Sequence, residues 1–203
     1  MYQTRYHRPG SVAEAAELLS KAEDGRYVAG GHTLIPTMKH RLAGPSDLVD
    51  LSRLSELKGI SEKGGTVTIG AATTHYEVAS SDAVRKAIPA LAALAGMIGD
   101  PAVRNRGTIG GSLANNDPGA DYPAAVLGLG ATIHTDKRKI EADDFFTGLF
   151  TTALEEGEII VKVSFPVPKK AAYEKFHSAA SRYALTGVFV ASAKDGSIAP
   201  PSR

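Results

Sequence analysis

Two glycine-rich segments constrain this 203-residue chain more than any other feature of its sequence. The first, Ala29-Gly-Gly-His-Thr-Leu-Ile-Pro36, follows a short run that is typical of a β-strand. The second runs from Asn105 to Pro123. It lies in residues 99–123, which are dense in Gly, Asn, Asp and Pro, and such a stretch inside a domain is more often functional than idle. Because glycine has no Cβ, successive N–H groups in such segments can turn outward and bind an anion. If the two segments converge, they can hold a pyrophosphate between them.

The second segment adds side chains that suit a sugar-bearing ligand. Gly110 and Gly111 can expose N–H donors beside the hydroxyls of Thr108 and Ser112, and Asp121 is placed to accept hydrogen bonds from ribose hydroxyls. An anionic dinucleotide is the ligand that these features favour. The alternative is that each glycine pair is only a turn. The residues alone therefore support an α+β domain that can bind a phosphorylated ligand, and no more.

Composition excludes several classes of protein. With 23 Lys and Arg against 22 Asp and Glu, the net charge is +1, which gives no polyelectrolyte surface for nucleic acid. The sequence has no cysteine, so it supplies no disulfide, thiol nucleophile or iron–sulfur ligand. The six histidines are scattered, so we expect no metal site. Without an apolar leader or a long apolar run, we expect a cytoplasmic protein with no membrane span.

The N-terminal residues predict a small β–α–β–α–β unit of about fifty residues. Ser11-Val-Ala-Glu14 is typical of a capping box, and the apolar residues that follow at helical spacing predict a helix over 11–23. Strands are predicted at 27–29 and 47–51, with a short helix over 33–42 between them.

A second region of mixed strands and helices begins near residue 57. The predicted strands are 66–70, 131–135, 159–165, 173–179 and 187–193, and the predicted helices are 74–79, 83–98 with a break at Pro89, and 124–129. Mixed sheets of this kind indicate an α+β fold rather than a doubly wound one. Pro166 and Pro168 mark the expected domain boundary: a domain of residues 1–168, with subdomains of about 1–56 and 57–168, and a second domain that opens at 169–203.

The amino-acid sequences of both segments resemble the two FAD-binding signatures of the flavoprotein (medium) subunits of molybdenum hydroxylases. This is the family of carbon monoxide dehydrogenase and xanthine dehydrogenase. A-G-G-H-T-L-I-P and T-I-G-G-S-L-A-N-N-D-P-G-A-D-Y-P-A-A occur in the family's order, and the resemblance covers residues 1 to about 193. It also includes Val103-Arg-Asn-Arg-Gly107 and Ser181-Arg-Tyr-Ala-Leu185.

The resemblance implies FAD as the cofactor and a fold like the FAD-binding domain of p-cresol methylhydroxylase, with two α/β subdomains before a C-terminal α+β domain. The first segment would hold one side of the pyrophosphate without a covalent link and the second segment the other, while Asp121 would bind the adenosine ribose. Ile98 and Ile160 would pack near the adenine or the other rings. Lys175 or His177 would lie near the isoalloxazine edge, and Tyr183 near the flavin ring. The cofactor-binding residues so implied are Ala29, Gly30, Gly31, His32, Thr33, Leu34, Ile98, Thr108, Gly110, Gly111, Ser112, Asp121, Ile160, Lys175 and Tyr183.

Members of this family continue beyond the length of this chain, so we expect the last domain to be incomplete. The function that the resemblance implies is electron transfer. FAD would receive electrons from the [2Fe–2S] clusters of a small partner subunit and pass them to an external acceptor, while a molybdopterin-binding large subunit hydroxylates the substrate. The expected assembly is a heterotrimer or its dimer. The absence of cysteine agrees with clusters held by a partner, and no catalytic residue is expected in this chain.

Two other functions stay open from the sequence. A stand-alone FAD-dependent oxidoreductase would need an acid or base beside the flavin, and Lys175, His177 and Tyr183 are the candidates. A non-enzymatic binding module would use the glycine segments as turns only. Turnover by the isolated chain would favour the first of these, and full FAD affinity after glycine replacement would favour the second.

Overall fold

The N-terminal unit of the computed structural model, which describes residues 1–192, is a three-stranded parallel sheet with two helices. Its strands pair in the order β1-β3-β2, so both crossovers are helical, which confirms the predicted β–α–β–α–β unit. The elements are β1 (Arg5–His7), α1 (Val12–Ser20), β2 (Gly25–Val28), α2 (Leu34–Lys39) and β3 (Asp47–Asp50).

Helix α1 begins where the sequence predicts, but its capping box is only half formed. The Ser11 hydroxyl accepts from the Glu14 N–H at 3.1 Å. The Glu14 carboxylate accepts from the N–H of Gly10, at 2.7 Å, and not from Ser11. The buried side of the helix packs through Ala15 against a core that includes Val49 and Leu57.

The larger part of the structure contains a five-stranded antiparallel sheet in the order β4-β5-β10-β6-β7, a hairpin of β11 and β12, and a short β8–β9 pair. This combination confirms the α+β class. The strands are β4 (Ile60–Lys63), β5 (Thr66–Gly70), β6 (Thr132–Thr135), β7 (Lys139–Glu141), β8 (Phe146–Gly148), β9 (Thr151–Thr152), β10 (Ile160–Pro166), β11 (Lys170–His177) and β12 (Ala184–Ser192).

The helices of this part cover the sheet and shape the glycine-dense region. Pro89 divides the predicted long helix in two, because it begins the second helix, where its missing N–H costs no hydrogen bond. Residues 99–123, for which no helix or strand is predicted from the sequence, contain two short helices and the start of a third. The helices are α3 (His75–Ser80), α4 (Asp82–Ala87), α5 (Pro89–Gly96), α6 (Pro101–Arg104), α7 (Ile109–Asn115), α8 (Tyr122–Gly128) and α9 (Ala142–Phe145), and a 3₁₀ turn spans Ser55–Leu57.

The β11–β12 hairpin packs on this larger part. Tyr173 and Phe189 are buried in the same hydrophobic core as Leu91 and Val126. Ala193, the predicted end of the last strand, and the tail from Gly196 lie outside the described residues. Of the helices between residues 1 and 192, none combines the length and the hydrophobicity that a bilayer-spanning segment requires.

Glu158 gives the fold a specific sensitivity to acid. Burial raises the pKa of this carboxyl, but hydrogen bonds from Arg138, the Glu155 N–H and Thr135 outweigh that effect and lower the pKa to about 2. A lowered pKa in the folded state stabilises the protein above the ordinary pKa of glutamate, and this stabilisation is lost as the pH falls from about 4.5 to about 2.

We therefore expect Glu158→Gln to lose less stability than the wild type between pH 5 and pH 3. Urea unfolding at the two pH values measures this difference. Glu156→Gln, at an exposed neighbouring position, is the control and should keep the wild-type pH dependence. An equal pH dependence in Glu158→Gln and the wild type would contradict the role of Glu158.

Candidate functional site

A cavity of about 750 Å³ is lined by both glycine-rich segments. Its volume is in the range of small-molecule and cofactor sites. The structure brings together on its wall all but one of the residues that the resemblance implies, the exception being Lys175. Those on the wall are Ala29, Gly30, Gly31, His32, Thr33, Leu34, Ile98, Thr108, Gly110, Gly111, Ser112, Asp121, Ile160 and Tyr183.

The two segments meet at Gly30. A Cβ on this residue would lie 2.8 Å from the carbonyl carbon of Arg106 and closer still to its oxygen. Neither atom can move away easily, because both belong to the backbone. Only glycine therefore allows the first segment to approach the second this closely.

The first segment leaves a row of N–H groups free for a ligand. The N–H groups of residues 29–34 donate to no acceptor within residues 1–192. Gly31, with φ +72°, turns the chain between β2 and α2, and the Nδ1–H of His32 donates to the Gly30 carbonyl at 3.1 Å. Unpartnered N–H groups at such a turn are the donors of an anion-binding site.

The expectation that Gly110 and Gly111 expose free N–H donors is wrong. The N–H of Gly110 donates to the Ala71 carbonyl at 2.9 Å, and that of Gly111 donates to the Thr108 hydroxyl at 3.2 Å, so neither is free for a ligand. The absence of a side chain at Gly110 instead lets α7 pack closely on Ala71, because a Cβ at this position would lie 2.6 Å from the Cβ of Ala71. The segment offers the ligand the hydroxyl of Ser112 and a close approach of its backbone.

Asp121 lies on the cavity wall, and its carboxylate is bound by two side chains of strand β11. The Tyr173 hydroxyl donates to Oδ1 at 2.5 Å, and the Lys175 ammonium lies 2.9 Å from Oδ1 and 3.0 Å from Oδ2. The Lys175 side chain is only 2% exposed and donates also to the carbonyl of Met97. Burial, with the hydrogen bond to Asp121, raises the pKa of Tyr173. The hairpin therefore fixes Asp121, and Lys175 reaches the cavity only through it.

Tyr183 lies on the cavity wall close to the loop that leads to Asp121. Its ring packs on Gly119, where a Cβ would lie 3.0 Å from Cδ1 of the tyrosine. The ring is about half exposed, so one of its faces is open. His177, at the end of β11, does not line the cavity.

Several lining residues are missed by the sequence argument. They are charged or polar. Asp117 and Arg182 lie inside the motifs quoted for the resemblance, and the others reach the cavity through tertiary contacts that no local motif marks. These residues include Arg26, His75, Asp117, Glu158 and Arg182. Arg182 has φ +61°, a left-handed backbone that orients the loop before Tyr183.

The arrangement fits a dinucleotide such as FAD. Free N–H groups face one side of the cavity, and glycines that tolerate no Cβ bring the second segment to the other. Apolar side chains of Ile98 and Ile160 supply surfaces on which rings can pack. The geometry therefore suits a ligand with an anionic centre and flat apolar ends.

Comparison with known proteins also indicates an FAD-binding domain. Residues 2–168 match the model of the FAD binding domain in molybdopterin dehydrogenase. The chain is 42% identical to the carbon monoxide dehydrogenase medium chain of Hydrogenophaga pseudoflava, over 94% of this chain and 69% of that one. It is 39% identical to the nicotine 6-hydroxylase medium subunit of Paenarthrobacter nicotinovorans, over 92% and 68%.

Solved structures agree with this result. Carbon monoxide dehydrogenase from Hydrogenophaga pseudoflava superimposes with a TM-score of 0.90 at 41% identity, over 99% of this chain and 72% of that chain. Quinoline 2-oxidoreductase from Pseudomonas putida 86 gives 0.89 at 36% identity, over 93% and 68%. The chain therefore belongs to the FAD-binding domain family of the molybdopterin dehydrogenases, as a flavoprotein medium subunit of the molybdenum hydroxylase type.

Proposed function

We propose that this chain is the electron-transfer subunit of a molybdenum-containing hydroxylase. The observation that carries the proposal is the row of free N–H groups at residues 29–34, which faces the second glycine-rich segment across one cavity. Bound FAD would supply the redox chemistry, taking electrons from the [2Fe–2S] clusters of a small subunit and delivering them to an external acceptor. A molybdopterin-binding large subunit would hydroxylate the substrate.

In this proposal the chain's own residues bind and orient the cofactor. The N–H groups of residues 29–34 bind the pyrophosphate, with the Thr33 hydroxyl beside them. Ser112 adds a hydroxyl from the other side, and Thr108 holds the start of α7. Asp121 accepts from the ribose, in an orientation that Tyr173 and Lys175 fix. Ile98, Ile160 and Tyr183 flank the apolar rings.

The predicted domain organisation is part of the same proposal. Residues 1–168 form the FAD-binding domain, with subdomains of about 1–56 and 57–168, and residues from 169 onward open a further domain. Medium chains of carbon monoxide dehydrogenase and of nicotine 6-hydroxylase are among the relatives, which supports an assembly with a large and a small subunit, as a heterotrimer or its dimer. We propose a cytoplasmic location for that assembly.

A stand-alone oxidoreductase has less support from the geometry. Lys175 is buried against Asp121, and neither it nor His177 lines the cavity. Of the acid–base candidates, only Tyr183 reaches the wall. The arrangement thus provides cofactor contacts and little beside them for substrate chemistry.

The proposal predicts that the purified chain binds one FAD and that the bound flavin gives no substrate turnover by itself. Titration followed by flavin fluorescence measures the binding. Purification from the native host should bring larger and smaller chains with molybdenum and iron. Failure to bind FAD would refute the proposal, and turnover by the FAD-loaded chain without partners would favour the stand-alone oxidoreductase.

A further inference from the structure

His75 occupies a buried place on the cavity wall that the two glycine-rich segments do not account for. The residue is the first of α3 and is 5% exposed, and its N–H donates to the Gly107 carbonyl at 3.0 Å. Its ring packs on the same glycine, where a Cβ would lie 2.5 Å from Nε2. Gly107 therefore leaves room for the imidazole at the start of the second segment.

Neither ring nitrogen of His75 has a hydrogen-bond partner within residues 1–192. Nδ1 is buried and unpartnered. Nε2, which lies against Gly107, makes no hydrogen bond to residues 1–192 but is not closed off from solvent. A buried polar group without a partner is uncommon, because desolvation then costs free energy that no hydrogen bond returns. Nδ1 is closed to the cavity, so Nε2 is the ring nitrogen that a ligand in the cavity can reach, since His75 lies on the cavity wall.

The imidazole is neutral at physiological pH. Burial is the main cause, and the nearby His32 and Arg104 add to it, so that the pKa falls to about 4. The groups facing His75 are thus His32 from the first segment, Arg104 at the end of α6, and the Tyr122 ring from α8, whose centroid lies 5.4 Å away. A neutral imidazole has one N–H donor, and the nearby Arg104 cation favours an anion as its acceptor.

We propose that His75 is a further cofactor-binding residue, whose Nε2–H donates a hydrogen bond to a phosphate oxygen where the two segments meet. The inference rests on the proposed binding of FAD. It assigns the contact to α3, an element outside both segments, and it explains why the position beside the ring is a glycine.

Two replacements at the same position test this contact. We expect His75→Phe, which keeps a flat ring without a donor, to weaken FAD binding by about 10- to 100-fold, the range for a hydrogen bond to a charged group. His75→Gln restores a donor and should recover the affinity to within about threefold of the wild type. Tyr122→Phe is the matched control, because it removes the other unpartnered polar atom of this corner. Its affinity should equal that of the wild type.

The outcomes separate this inference from the proposed function. Wild-type protein that binds no FAD overturns both. Wild-type protein that binds FAD, together with His75→Phe of equal affinity, overturns only the role of His75. An equal loss in Tyr122→Phe would show a packing effect and would also overturn it.

Nitrogen NMR of the His75 ring in the wild type gives an answer that does not depend on how the variants fold. FAD should shift the ring signals and raise the pKa of His75 above about 4, because a phosphate stabilises the charged imidazole. Ring signals and a pKa that FAD leaves unchanged would contradict the contact.

Discussion

Gly30→Val is expected to reduce FAD affinity by more than about 100-fold, the effect of losing two or more hydrogen bonds to a charged group. The valine Cβ would collide with the backbone of Arg106, and the first segment would have to move away from the second. The free N–H groups of residues 29–34 would then no longer face Ser112 across the cavity. Overpacking should also destabilise the fold by about 1–3 kcal/mol. Fluorescence titration and urea unfolding measure the two effects separately.

Gly96→Ala is the matched control for this variant. Gly96 ends α5, and its added Cβ would lie 4.0 Å from Ala79, an ordinary contact. Because alanine is the better helix former, stability should stay the same or rise, and FAD affinity should not change. Native affinity in Gly30→Val would show that the close approach of the two segments is not needed for binding.

Lys175→Met is expected to destabilise the protein by about 3–5 kcal/mol, the cost of leaving a buried charge without its partner. The change leaves the Asp121 carboxylate, which is 6% exposed, with the Tyr173 hydroxyl as its side-chain donor among residues 1–192. FAD affinity should fall as well, because Asp121 loses the contact that orients it. Urea unfolding gives the first quantity and fluorescence titration the second.

Two further variants serve as comparisons for Lys175→Met. Lys21→Met removes a lysine from an exposed ion pair with Glu17, and it should leave stability unchanged because solvent screens such pairs. The double variant Lys175→Met with Asp121→Asn should be more stable than Lys175→Met alone, since no buried charge then lacks a partner. If Lys175→Met lowered the free energy of unfolding no more than Lys21→Met does, the ion pair between Lys175 and Asp121 would not stabilise the packing of the hairpin on α8.

Local signals made much of the fold predictable. The cap at Ser11 and the apolar spacing after it predict α1, and Pro89 predicts the break between α4 and α5, because each signal acts on its own neighbours. Strand β4 was not predicted. Its residues, Ile60–Lys63, are mostly exposed and charged, and they form a strand only because β5 pairs with them.

For the candidate site, the motifs located the glycine segments but not what their atoms do. The N–H of Gly110 is taken by the Ala71 carbonyl, which belongs to a distant part of the chain. Asp121 is bound by Tyr173 and Lys175, more than fifty positions later in the sequence. His75 meets Gly107 in the same way. Such contacts depend on how elements pack, and no periodicity or cap in the sequence encodes that.

The contacts of Tyr173 and Lys175 with Asp121 also affect the order in which parts of the cavity wall form during synthesis of the protein. The wall of the cavity begins with residues 29–34, but Asp121 gains its partners only when β11 has been made and has docked. Contacts between positions so far apart form late, because closing the long intervening loop costs entropy. A nascent chain that ends before Tyr173 therefore has both glycine segments and still lacks the two side chains that hold Asp121 in place. On the proposed function, stable loading of the cofactor would therefore follow the folding of the hairpin and not precede it.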